Sequence, residues 1–143
     1  MGCDIHAHLE AKKDGAWHHL GSLDIDRDYV LFAILGGARL DVAQARTDKK
    51  IVPMANMSGI PDNASAETRR GFDRDGAYFF THSPGAIYAS QLPRLKRMLE
   101  KVDPCYRNGA NLEEDVFHAR VNDGTLTEHK GWDDLRIVFW FDG

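Results

Sequence analysis

The stretch Cys3-Asp4-Ile5-His6-Ala7-His8-Leu9-Glu10 alternates without a break. Cys3, Ile5, Ala7 and Leu9 form one set, and Asp4, His6, His8 and Glu10 form a polar one. A period of two belongs to a strand, because successive side chains point to opposite faces of a sheet. Just beyond it, Asp14-Gly15 is the kind of pair that closes a two-residue hairpin turn, where both positions need a positive φ. Closure there sets Glu10 opposite His19, Lys12 opposite Trp17 and Leu9 opposite Leu20. Apolar residues then meet on one face and polar residues on the other.

Working outward, the far end of the chain supplies a partner. Leu135 to Phe141 is almost wholly apolar and β-prone, the pattern of a central strand buried on both faces. Between the two ends, Asp26 is placed to cap a helix through Tyr29, Phe32, Ala33 and Leu35, stopped by Gly36-Gly37. Residues 38–50 are polar and read as loop, and Pro53, Gly59 and Pro61 exclude a long regular element after Ile51. Ser65 caps a short helix that Gly71 ends. Ala77 to Thr81 reads as a short strand with Phe79 and Phe80 in the core, and His82-Ser83-Pro84-Gly85 as a turn. Ser90 caps a helix with Pro93 in its first turn, carrying a buried stripe of Leu92, Leu95, Leu99 and Val102. Asn111 with Glu114 forms a capping-box pattern for a helix to about Val121. Strands at both ends with helices between them predict an α+β fold. The expectation is a single small antiparallel or mixed sheet with three to four helices packed mainly on one face.

Composition narrows the classes. The 143 residues are 43% apolar and 28% charged, enough to bury the core of one domain spanning residues 1–143. A net charge of −4 argues against general nucleic-acid binding. No apolar run approaches the ~20 residues of a membrane span, and no basic segment followed by an apolar one marks a secretory leader. The opening Met-Gly-Cys resembles an acylation signal, but His6 stands where that signal has Ser or Thr. Cys3 and Cys105 are too few for a disulfide framework, so reduced thiols and a cytoplasmic location are expected. The middle of the chain is net basic and its last forty residues are acidic, so a small anionic ligand or nucleotide is expected to favour the middle.

Asp4, His6 and His8 carry the leading chemical signal. At i, i+2 and i+4 on a strand they share a face, and imidazole and carboxylate together suit zinc, manganese or iron. A complete site needs a further ligand, for which His19, Glu10 and His82 are the candidates. The plain alternative is a solvated sheet face. His82-Ser83 is a second signal, with His82 as ligand or general acid/base and Ser83 as a phosphate contact; its plain alternative is turn chemistry. Arg94, Arg97 and Lys101 make a basic helix stripe, and Arg39 lies at the base of a loop able to close over an anion. Trp17, Tyr88 and Trp132 have rings on which a nucleobase can stack, although packing explains the tryptophans equally well. There is no P-loop, dinucleotide fingerprint or serine-hydrolase elbow.

Several stretches together resemble a group of small bacteriophage and prophage proteins with no assigned activity. They are Met-Gly-Cys-Asp-Ile-His, the Asp-Arg-Asp-Tyr-Val-Leu-Phe-Ala-Ile-Leu-Gly-Gly-Ala-Arg run, Gly-Ile-Pro-Asp at 59–62, His82-Ser83 and the closing Phe-Trp-Phe-Asp. The resemblance covers most of the chain and implies a phage context, without supplying a mechanism. Asp-Ile-His-Ala-His is also similar to the first metal motif of amidohydrolase barrels, but such a barrel needs some 200 residues. The leading expectation is a metal-dependent hydrolase of a phosphate ester or nucleotide, with Asp4, His6 and His8 on the metal and Arg39, Arg94, Ser83 and Trp17 around the ligand. A non-enzymatic protein that sequesters a nucleotide or signalling molecule, with the interface between subunits of a homo-oligomer as one place for it, is the alternative. A structural, partner-binding protein is the third.

Overall fold

The computed structural model of the chain describes residues 2–55, 59–106 and 132–143. Strands β1 (Asp4–Lys13) and β2 (Ala16–Leu23) form the N-terminal hairpin, turned by Asp14 and Gly15 at φ 53° and 78°. Glu10 pairs with His19 and Lys12 with Trp17 as the sequence predicts, but Leu9 pairs with Gly21. A bulge after His19 makes Leu20 the extra residue and restores the face of the strand beyond it.

Helices α1 (Tyr29–Gly36), α2 (Leu40–Gln44) and α3 (Ala66–Tyr78) precede strand β3 (Thr81–Tyr88). A single 3₁₀ turn then leads into α4 (Leu92–Glu100), and β4 (Asp134–Asp142) closes the chain. All four strands are antiparallel in the order β2-β1-β4-β3, so the apolar β4 is central, as its composition predicts. The architecture is α+β. The capping-box helix expected from Asn111 lies outside the described residues.

Each sheet face acquires its own cover. Ile5, Ala7, Leu9, Leu135, Ile137, Phe139 and Phe141 form the apolar face, against which α1, α2 and α4 build one continuous core. Every residue of α1 from Val30 onward is buried, so the helix is apolar all round. Its cap is Asp28, which accepts from the Leu31 N–H at 3.0 Å; Asp26 does not take that role. Leu95 and Leu99 on α4 and Val102 just beyond it are buried, and Leu92 packs against the same core, as predicted.

The polar face is not wet. Helix α3 lies across it and buries His8, Glu10, Arg136 and Trp140. Ser65 caps α3 as expected, accepting from the Thr68 N–H, but the helix runs through Gly71 to Tyr78. A Cβ on Gly71 would stand 3.2 Å from the His8 ring, so this glycine marks close helix–sheet approach and not a helix stop. The longer helix leaves Phe79 and Phe80 exposed beside Tyr78, outside the core. His82-Ser83-Pro84-Gly85 is likewise not a free turn. It lies within the edge strand β3 as a bulge, with Ser83 at φ 53°.

Candidate functional site

The polar face divides into three clusters along β1. At one end Glu10 and Arg136 pair at 2.7 Å, both with no exposed surface. Glu10 also accepts from the Ser65 N–H and the Thr68 hydroxyl, while Arg136 donates to Asn63 and Tyr88 and lies 3.9 Å over the Trp17 ring. Burial works to raise the Glu10 carboxyl, but the bonds from Ser65, Thr68 and Arg136 outweigh it and hold it below the usual range. In the middle, His8 Nδ1 lies 2.9 Å from His19 Nε2 and its ring stacks on Trp140. Burial, helped by His19, pushes the His8 imidazole down to about 4.

The third cluster has an open edge. His6, about one quarter exposed, lies between two carboxylates: its Nδ1 is 3.3 Å from Asp75 Oδ2 and its Nε2 is 2.6 Å from Asp142 Oδ2. Asp75 comes from α3, is buried, and accepts from the Trp140 indole N–H at 3.0 Å. Trp140 and the half-exposed Phe79 flank the His6 ring. The exposed Arg74 reaches Asp75 Oδ1 at 3.4 Å and brings a positive charge to the rim. A histidine oriented by a buried carboxylate on one nitrogen, with an accessible group on the other, can take up and return a proton.

Asp4, His6 and His8 share a face as predicted, but each is engaged by a different partner. Asp4 is gripped by Arg27 through two hydrogen bonds, and that guanidinium holds its carboxyl below the ordinary value. Asp142 and Asp75 approach opposite nitrogens of His6, so they do not converge on one point either. Among the described residues no group of three or more His, Cys, Asp or Glu is placed to hold a metal ion.

The remaining predicted site residues separate into two groups. His82 lies at the same sheet end as His6, since Thr81 and Asp4 both pair with Asp142. It projects to the opposite face, however, where it stacks on Phe141 and meets the Ser83 hydroxyl at 3.1 Å. The sheet therefore stands between the two histidines. Arg39 is also at this end: at φ 55° it lies over the Tyr29 ring, reaches the Gly143 carbonyl at 3.4 Å and hydrogen-bonds the Cys3 thiol. Burial raises that thiol in spite of Arg39, which makes Cys3 a poor nucleophile. Trp17 belongs to the opposite end, buried beneath Arg136, and Arg94 is an exposed residue of α4 beyond the far end of β3.

Sequence reasoning passed over Asp75, Asp142, Arg74 and the exposed Phe79. Asp142 was accessible from parity alone, because Trp140 and Asp142 are two apart on β4. Asp75 and Arg74 were hidden by the reading of Gly71 as a stop. Backbone strain gives a further signal, visible only in three dimensions. Outside the hairpin turn, the non-glycine residues with positive φ among those described are Arg39 and Ser83, both at this sheet end. Such conformations persist where the surrounding structure enforces them, and functional sites collect them. Comparison with family models, curated proteins and solved structures finds no match, so the reading of this site rests on its own chemistry.

Proposed function

We propose that the chain is a hydrolase of phosphate esters or nucleotides whose proton-transfer centre is His6. The observation that carries the reading is the placement of one partly open imidazole between the buried Asp75 and the more accessible Asp142. Asp75, fixed by Trp140, orients the ring through Nδ1. On the Nε2 edge, where Asp142 is hydrogen-bonded to the ring at 2.6 Å, the Asp142 carboxylate takes the proton of an attacking water and the His6–Asp142 pair returns a proton to the leaving oxygen. Two carboxylates repel an anionic substrate, and Arg74 on the rim, with Arg39 at the same sheet end, opposes that repulsion, while Arg27 offsets the charge of Asp4.

The test is hydrolysis of bis(p-nitrophenyl) phosphate, p-nitrophenyl phosphate and a nucleotide panel, each with and without added zinc, manganese and magnesium. His6→Gln is expected to lower kcat at least about 100-fold while the protein remains folded. Asp75→Asn is expected to lower kcat less and to alter its pH profile. No turnover above buffer by the parent under any condition, or full turnover by His6→Gln, would sink the proposal.

A second reading is favoured by the exposed Phe79 against His6, with the exposed Tyr78 and Phe80 next to it in the chain. Aromatic faces next to a hydrogen-bonding histidine suit sequestration of a nucleotide or signalling molecule without turnover. Recovery of a presented nucleotide intact after denaturation, rather than cleaved, distinguishes it.

A further inference from the structure

The layer of helices covering the sheet face opposite His6 holds a cavity of about 270 Å³ that the hydrolase reading does not use. Its floor is apolar: Ile34 from α1, Ile51 from the loop after α2, Met98 from α4 and Val102 just past the end of that helix. Its rim is cationic, formed by the exposed Lys49, Lys50 and Lys101 with Thr47. Among the described residues no carboxylate lines it, in a chain whose net charge is −4.

The walls are held in place by the backbone. Gln44 donates to the Thr47 and Lys49 carbonyls and accepts from the Ile51 N–H at 2.9 Å, fixing the loop that carries two of the lysines. The Met54 and Ala55 N–H groups then bond the Ile34 and Leu35 carbonyls, tying the same segment to the end of α1. The carbonyl end of α4 nearby disfavours an anion by a fraction of a charge, whereas the rim contributes three full positive charges. Of the basic stripe read from the sequence, only Lys101 lines this cavity; Arg94 and Arg97 do not.

We propose that this cavity binds an anionic amphiphile, a carboxylate on a medium-length hydrocarbon chain, with the chain on the Ile34–Met98 floor and the carboxylate among Lys49, Lys50 and Lys101. An apolar floor selects for the tail and excludes a bare anion, and the lysines select the sign of the head group. The site is independent of His6, so loss of phosphate-ester hydrolysis has no bearing on it.

The test is calorimetric titration of the full chain with sodium hexanoate, octanoate and decanoate, decanol, decyltrimethylammonium and inorganic phosphate. Decanoate is expected to bind saturably with a Kd below about 1 mM, and affinity is expected to rise about four-fold per added methylene. Replacing the three lysines together (Lys49→Ala, Lys50→Ala, Lys101→Ala) is expected to weaken decanoate at least ten-fold and to leave decanol unchanged. Met98→Trp, which fills the cavity, is expected to abolish both; should that variant not fold, the chain-length series reports on the floor in its place. The proposal is overturned by absence of saturable decanoate binding. It is equally overturned by equal affinity for decyltrimethylammonium, by phosphate binding as tightly as decanoate, or by an unaffected triple-lysine variant.

Discussion

Arg136 has no exposed surface, yet its guanidinium is matched by Glu10, by the Asn63 side chain and carbonyl, and by Tyr88. A charge withdrawn from water is tolerable only with that degree of pairing, and removing one member strands the other. Glu10→Ala is therefore expected to lower unfolding free energy by about 3–5 kcal/mol, read as a lower urea midpoint at unchanged slope. A double replacement of similar shape, Glu10→Leu with Arg136→Met, is expected to recover much of that loss, because neither charge then remains to be solvated. At the start of α1, Asp28→Ala removes the side-chain acceptor of the Leu31 N–H and is expected to cost about 1 kcal/mol in the same assay.

At the scale of the element, α3 turns a polar strand face into an interior. Its contact with β1 depends on Gly71, since an alanine there would need the His8 ring to move by a few tenths of an ångström. That ring is held by Trp140 on its face and by His19 at its Nδ1. Gly71→Ala gains up to about 1 kcal/mol of helix propensity, but the held ring makes the net effect destabilising. The expected outcome is a lower melting temperature and faster amide exchange along α3, with β4 unchanged. A stabilised variant would show that the His8 ring yields freely. Strands β1 and β4, each paired on both sides, are expected to have the slowest-exchanging amides among the described strands.

For the whole molecule, the buried polar layer predicts acid lability. His8 is held neutral, with its folded value near 4 against an ordinary 6.5. A depressed folded value contributes stability that is complete above about pH 6.5 and is lost as the pH falls through 4. For a group so well covered the loss amounts to roughly 3 kcal/mol. Glu10, also depressed, adds a loss at still lower pH, below the ordinary carboxylate range. Unfolding free energy is therefore expected to be level from neutrality to about pH 6.5 and to fall in two stages below it. His8→Phe would remove the first stage, and a His8→Phe protein that retained it would refute the assignment. At this scale the structure also shows no helix among the described residues long and apolar enough to cross a membrane.

Parity and turn chemistry made the sheet legible. The alternation from Cys3 to Glu10, the Asp14-Gly15 turn and the unbroken apolar run to Phe141 specify two edges of a register before any tertiary contact forms, because strand faces follow from counting by two. The buried stripe of α4 follows for the same local reason, from counting by three and four. Which face of the sheet would stay wet was not local. It depended on Gly71, whose missing Cβ reads as a helix stop in isolation and as a point of close approach once His8 is opposite it. From that one ambiguity came the hidden Asp75, the exposed Phe79 and Phe80, and the covering of the histidine face. Likewise, the sequence alone determined that Asp4, His6 and His8 point the same way; His8 meets His19 across the hairpin, but the partners of Asp4 and His6 come from α3, β4 and the segment before α1. Only the tertiary structure decided those partners, because residues far apart along the chain meet through packing and not through periodicity.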